Sequence, residues 1–156
     1  MEILSNVLTT VTFFSKWTRA LTLEKLCAGG ARTQLAIARA GGIDLSLGAL
    51  RLGLQSPDIS AEVPSHLVAA EGCLAIWTIA ARNATTQRDV VERGGVSLLL
   101  RALRHVGGNA MLQRSASGAL WNLMCGPQSE AWYEEVKRQV LCIYVYVCVC
   151  ICISSV

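Results

Sequence analysis

The chain has 156 residues, of which 53% are hydrophobic and 16% charged, and its formal net charge at pH 7 is +3. This length suits a single domain, and so mild a charge, carried by scattered basic residues, excludes the dense basic face that nucleic-acid binding requires. Segment 1–5 carries an acidic residue where a secretory signal carries positive charge, so we predict no signal peptide.

The seven cysteines show no pattern of disulfide or zinc pairs. Cys27, Cys73 and Cys125 lie far apart within helical patterns, where a free cysteine behaves as a small apolar residue. The others lie in the C-terminal tail, and no CxxC pair and no Cys/His spacing for zinc occurs. We therefore expect no cofactor, no metal and a reducing intracellular compartment, either cytoplasmic or nuclear.

The predicted elements are a series of helices. Segment 3–14 is read as a helix, with a short strand as the alternative. Gly41-Gly42 and Gly94-Gly95 lie 53 residues apart, and each pair ends a short helix, since a glycine just past a helix end adopts the left-handed conformation at little cost. Apolar spacing and Gly or Pro breakers predict the remaining helices at 17–27, 31–40, 43–54, 64–81, 85–92, 96–104 and 111–124, with another that opens within 129–138.

One stretch of this series occurs twice. Residues 72–79 align with residues 116–123, which lie 44 positions further on, so that Trp77 falls on Trp121. Periods of roughly 40–47 residues mark stacked helical units, and such arrays bind partners along a surface and seldom carry chemistry. A large aromatic at the repeat period is typical of packing between neighbouring units, with a binding site as the alternative.

The second unit resembles the armadillo-repeat family. Segment 91–103, with its Gly-Gly turn and leucine-rich helix, matches the first part of the family pattern, and segment 115–123, with Ala-Leu-Trp-Asn-Leu, matches the last part. The resemblance extends over about 16–126. The related HEAT repeats are the alternative, although they lack the expected three-helix unit with its Gly-Gly turn. It implies an all-α fold, a right-handed α-solenoid of armadillo-type three-helix repeats with about two and a half units.

The same resemblance divides the chain into five parts. Because solenoids generally need three or more units, we expect the chain to be a fragment of a longer array that leaves apolar surface unburied near both ends. The parts are a partial N-terminal repeat over 1–28, armadillo-like repeats over 29–81 and 82–126, the start of a truncated repeat over 127–140, and a low-complexity apolar tail over 141–156.

The resemblance also implies a protein or peptide partner in a concave groove lined by the third helix of each unit. On the family pattern an Asn amide there donates to and accepts from the ligand backbone. Asn122 stands at that position, with an exposed polar residue of no special role as the alternative, and Thr78 departs from the pattern. Helical geometry predicts that the groove is lined by Asn122, Gly118, Ser115, Arg114, Thr78, Leu74 and Glu71.

Gly118 and Leu74 also stand where nuclear-import carriers of the family have a tryptophan four residues before the Asn. The tryptophan array that holds basic import signals is therefore absent, which argues against that class of ligand.

The tail follows a different pattern. Residues 142–153 alternate Cys or Tyr with Val or Ile, an arrangement typical of a strand with two apolar faces. Because codons of T alternating with G or A encode these residues, we interpret the tail as a translated dinucleotide repeat, from a retained intron or an erroneous gene model, and hence as non-native. The alternatives are a site for a soft metal such as Cu(I) and a membrane anchor, although segment 140–153 is shorter than the roughly 20 residues that a spanning helix needs.

No catalytic constellation is recognisable. His66 opens a helix, His105 ends one, and the paired glycines do not form a phosphate-binding loop. We therefore predict a protein–protein interaction scaffold that is not an enzyme and binds neither nucleic acid nor a small-molecule substrate. A membrane-tethered adaptor that uses the apolar tail is the alternative function, and we do not otherwise expect a membrane partner.

Overall fold

The computed structural model of the chain describes residues 30–55, 64–104, 109–127 and 131–141. Within these ranges every regular element is a helix and no strand occurs, which confirms the all-α prediction. The helices are α1 Ala31–Arg39, α2 Gly42–Gln55, α3 Ser65–Ile79, α4 Ala84–Glu92, α5 Gly95–Arg104, α6 Ala110–Met124 and α7 over 131–141. Helices α1 to α6 begin and end within two residues of the predicted bounds. The predictions for 3–14, 17–27 and the tail after residue 141 lie outside the described residues.

Helices α1 to α6 form two triplets with the same plan. Each triplet has a first helix of 9 residues, a second helix, and a third helix of 15 residues. Within a triplet the second helix packs on the third, and between triplets each helix contacts its counterpart, α1 with α4, α2 with α5 and α3 with α6. Neither triplet covers its apolar faces alone, so each depends on its neighbour for burial.

Both predicted Gly-Gly turns are present, and the two glycines of a pair have different roles. Gly41 and Gly94 have φ values of 88° and 77°, a conformation that residues with a side chain rarely adopt. Gly42 and Gly95 instead begin the next helix in close contact with the preceding one. A methyl group on either would lie 2.8 Å from a backbone carbonyl oxygen, that of Ile37 or Val90 respectively.

The second triplet also has side-chain caps where its first and third helices begin. Asn83 Oδ1 accepts a hydrogen bond from the Thr86 N–H at 3.3 Å, and Asn109 Oδ1 accepts one from the Leu112 N–H at 3.0 Å. An asparagine at this position satisfies one of the amide groups that the first helical turn leaves unpaired. These caps fix where α4 and α6 start.

Two glycines bring α2 and α3 into backbone contact. A methyl group on Gly53 would lie 2.5 Å from the Ala69 nitrogen, and one on Gly72 would lie 2.7 Å from the Leu50 nitrogen. The core continues from this contact through both triplets to α7. Its largest fully buried side chains are Ile43, Leu50, Val68, Ile76, Ile79, Val90, Leu99, Leu123 and Val136. In the described part of the chain, no helix has the length and apolar character needed to cross a membrane.

Candidate partner-binding surface

The surface formed by the third helices begins at the contact between α3 and α6. The Trp77 ring lies against Gly118, where a methyl group would be only 2.6 Å from the ring atom Cδ2. Asn122 Nδ2 donates a hydrogen bond of 2.7 Å to the backbone oxygen of Trp77. The two tryptophan-bearing helices are therefore side by side, with their C-terminal ends together, as the repeat predicts.

A buried glutamine fixes the end of each third helix. Gln34 Nε2 on α1 donates to the Thr78 oxygen at 2.9 Å, and Gln87 Nε2 on α4 donates to the Asn122 oxygen at 3.0 Å. Gln87 Nε2 also donates to the Ala80 oxygen at 3.0 Å, which ties α4 to the preceding triplet. Thr78 and Asn122 are counterparts 44 positions apart, so both triplets use the same device at the same place.

Sequence reasoning missed these glutamines, although a signal for them exists. Each follows an Ala-x-Thr sequence at the start of a first helix, and the two lie 53 positions apart, in register with the Gly-Gly turns. A glutamine that recurs in register with a structural turn indicates a buried hydrogen bond, because its amide can satisfy an unpaired carbonyl at a helix end.

Four of the predicted groove residues lie on α3 and α6, which are in contact with each other. Leu74 and Thr78 on α3, and Gly118 and Asn122 on α6, are all partly exposed. The Thr78 hydroxyl donates to the backbone oxygen of Leu74 at 3.1 Å, within its own helix. These four residues form the surface that we call the third-helix groove.

The predicted outward direction was wrong for Ser115 and Glu71. Their exposed fractions are only 3% and 6%, so neither lines an open surface. The two are counterparts in α6 and α3. In each helix, the residue three positions earlier and the residue four positions later are fully or almost fully buried. Ser115 lies between Leu112 and Ala119, and this spacing places it on the buried side of its helix. Arg114, in contrast, is exposed.

The chemistry available at Asn122 differs from the predicted clamp. Its Nδ2 group already donates to Trp77, whereas its Oδ1 atom accepts no hydrogen bond from the described residues. A ligand amide can therefore donate to Asn122, but accepting a bond from Asn122 would compete with the contact between α3 and α6. The same bond joins neighbouring units, a role that the sequence did not predict.

The two tryptophans occupy different environments. Trp77 is partly buried and packs against the core, as expected for a residue between neighbouring units. Trp121 is the counterpart of Trp77 on α6, and its side chain is 68% exposed. Other exposed large apolar side chains in the described ranges are Met111 on α6 and Leu141 on α7.

The described residues contain no group of three or more His, Cys, Asp or Glu side chains that could hold a metal ion. Cys73 is completely buried, and its burial raises the thiol pKa far above the ordinary value, whereas Cys125 is exposed. Comparisons with protein-family models, with curated proteins and with solved structures gave no match of any of the three kinds. Function is therefore inferred from the geometry of α3 and α6.

Proposed function

We propose that this protein is an interaction module of the armadillo type, a right-handed solenoid of stacked three-helix units that acts inside the cell without enzymatic activity. The observation that carries the proposal is the contact of each helix with its counterpart in the other triplet. This arrangement places the third helices next to each other, and successive third helices form an extended surface suited to another chain.

The partner in this proposal is an extended peptide or a helix of another protein that lies across α3 and α6 in the third-helix groove. Leu74 offers an apolar contact, and the free Oδ1 atom of Asn122 accepts a hydrogen bond from a backbone amide of the partner. Gly118 adds no side chain to the groove, and the Trp77 ring lies directly against it.

Selection of displayed random peptides on the full chain tests this proposal. Peptides recovered on the wild type should bind the Leu74→Arg and Thr78→Arg variants about tenfold more weakly or worse, because either change places a long charged side chain in the groove. The matched control is Thr85→Arg, which adds the same side chain at an exposed position on α4.

Circular dichroism of each variant must match the wild type for the comparison to be valid. Equal affinity of the selected peptides for wild type and for both groove variants would contradict the proposal, and so would the absence of any selectable peptide.

A further inference from the structure

The second helices of the two triplets carry arginines at equivalent positions. Arg51 on α2 and Arg104 on α5 lie 53 positions apart, in register with the Gly-Gly turns, and each follows an Ala-Leu pair. Both arginines are exposed, and the two helices that carry them contact each other. The repeat therefore places two like charges on neighbouring helices.

A third arginine links these two positions. Arg101 on α5 is exposed, and its Nη2 group donates a hydrogen bond of 3.3 Å to the backbone oxygen of Leu54, near the end of α2. Arg51 precedes Leu54 by three residues, and Arg104 follows Arg101 by three residues. Each therefore lies within about one helical turn of this contact. We call Arg51, Arg101 and Arg104 the arginine patch.

No carboxylate of the described residues pairs with the arginine patch. Helix α5 contains no acidic residue, and the acidic residue of α2, Asp44, lies seven positions before Arg51 and pairs with Arg93. The other salt bridges between described residues lie within α7. Like charges that lie close together repel, so a bound anion would stabilise this arrangement.

The surface beside the patch has room for a partner chain. Gly48 is the counterpart of Arg101 in α2 and lies one helical turn before Arg51. A methyl group on Gly48 would meet no atom within 4 Å. A partner chain can therefore approach the backbone of α2 closely at this point while its side chains reach the guanidinium groups.

The surroundings of the patch favour a protein segment over other anionic partners. In the described ranges, exposed large apolar side chains occur on α6 and α7 but not on α2 or α5, so the patch lacks the residues that enter an anionic membrane. Helices α2 and α5 contain no aromatic residue on which the bases of a single-stranded nucleic acid could stack. A guanidinium group, in contrast, pairs with a carboxylate through two parallel hydrogen bonds.

We propose that the arginine patch binds a segment of a partner protein that is rich in Asp or Glu, with carboxylates that pair with guanidinium groups of both second helices. Arg101 takes part without leaving α2, because its bond to Leu54 uses one N–H group and the others remain available. The patch lies on the second helices and is separate from the third-helix groove, so its binding does not depend on a ligand there.

The probe is a fluorescein-labelled peptide in which glutamate alternates with glycine. Fluorescence anisotropy measures its binding to the full chain at low salt, where charge pairing is least screened. A peptide with glutamine in place of glutamate is the neutral control and should not bind. The double variant Arg51→Gln with Arg104→Gln should bind the glutamate peptide about tenfold more weakly or worse. Arg101 stays unchanged, because its contact with Leu54 also supports the fold.

A second double variant separates a specific site from general attraction between opposite net charges. Arg32→Gln with Arg88→Gln removes the same charge from exposed positions on the first helices α1 and α4. This variant should weaken binding of the glutamate peptide by less than about threefold. Circular dichroism of both variants should match the wild type, because glutamine and arginine have similar helix propensities.

Three results would overturn the proposal. One is that the glutamate peptide does not bind the wild type, or binds the Arg51→Gln, Arg104→Gln variant equally well, because the arginines would then only stabilise the helix ends. Another is an equal loss of affinity in both double variants, which net charge alone explains. The third is that phosphatidylserine vesicles or single-stranded RNA bind the patch more tightly than the peptide does, because a membrane or a nucleic acid would then be the partner.

Discussion

Gly118 illustrates how one residue sets the spacing between two helices. The ring of Trp77 occupies the volume that a side chain at this position would need. The close approach of α3 to α6 therefore depends on the absence of a side chain at Gly118 as well as on the buried apolar side chains nearby. The Asn122 amide adds a directional contact to the same junction through its bond to the Trp77 oxygen.

Gly118→Ala should therefore lower the free energy of unfolding, by about 1–3 kcal/mol, because the added methyl group overlaps the Trp77 ring. Urea denaturation measures the effect. Gly48→Ala is the matched control, since a methyl group on Gly48 meets no atom within 4 Å and α2 gains helix propensity. This control should stabilise the protein by about 0.5–1 kcal/mol, and stabilisation by both changes would contradict the packing described for Trp77.

Gln87 connects three segments through one buried amide. Gln87→Leu should lower the free energy of unfolding by about 1–3 kcal/mol, because the Ala80 and Asn122 oxygens lose their donor at a site that is only 2% exposed. Thermal denaturation is a suitable measurement. Gln113→Leu, at an exposed position on α6, should change stability by less than about 0.5 kcal/mol, and equal losses in the two variants would refute a specific role for Gln87.

The buried thiol of Cys73 predicts a pH dependence. Burial raises the thiol pKa in the folded state above its ordinary value of 9.0, so the unfolded chain releases this proton at a pH where the folded chain retains it. Stability should therefore fall as pH rises above about 9, with a contribution of up to about 1.4 kcal/mol per pH unit from this residue. Cys73→Ala should show a shallower decline than the wild type, and identical slopes in the two proteins would contradict the prediction.

At the scale of elements, the two triplets use different means to pack the second helix on the third. The α2–α3 pair makes backbone contact through Gly53 and Gly72. In α6 the counterpart of Gly72 is Ala116, which is completely buried, so the α5–α6 pair accommodates a methyl group at this position. The repeat thus preserves the arrangement of helices while the distance between them is set locally.

This difference predicts that α3 does not tolerate a methyl group at residue 72, whereas α6 is more stable with one at the equivalent residue 116. Gly72→Ala should destabilise the protein by about 3 kcal/mol, because the new methyl group would lie 2.7 Å from the Leu50 nitrogen and backbone atoms cannot move aside cheaply. Ala116→Gly should cost about 1 kcal/mol through lost helix propensity. Denaturant unfolding compares the two, and a stabilising Gly72→Ala change would show that α2 and α3 lie further apart than described.

The helix bounds were predictable because the signals that set them are local. Glycine pairs and apolar spacing act within a few residues, and they located α1 to α6 closely. The burial of Ser115 on α6 and of Glu71 on α3 was missed because the buried side of each helix is wider than the stripe read from its apolar residues alone. The bond from Asn122 to Trp77 spans two units, and no pattern within one helix reveals which distant carbonyl an amide will meet.

The two triplets contact each other at more places than the α3–α6 junction, because first and second helices also touch their counterparts. Beside the α3–α6 junction, Arg93 at the end of α4 pairs with Asp44 on α2 at 2.6 Å, although both side chains are substantially exposed and such a pair contributes little. The third-helix groove depends on this stacking, because it is defined by how α6 lies relative to α3.

The helix α7 has the burial pattern of the first helix of a further unit. Tyr133 and Val136 are buried at the same spacing as Gln87 and Val90 of α4. Trp132 lies close to Gly126 at the end of α6, where a methyl group would be 2.5 Å from the ring. The stacking of first helices thus extends beyond the second triplet.

A nuclear Overhauser experiment on the isotopically labelled full chain can detect the side-by-side placement of α3 and α6. We expect cross-peaks from the Trp77 ring protons to the Gly118 α-protons, and from the Asn122 side-chain amide protons to residues at the end of α3. Assigned spectra in which Trp77 shows no cross-peak to any residue of α6 would contradict it.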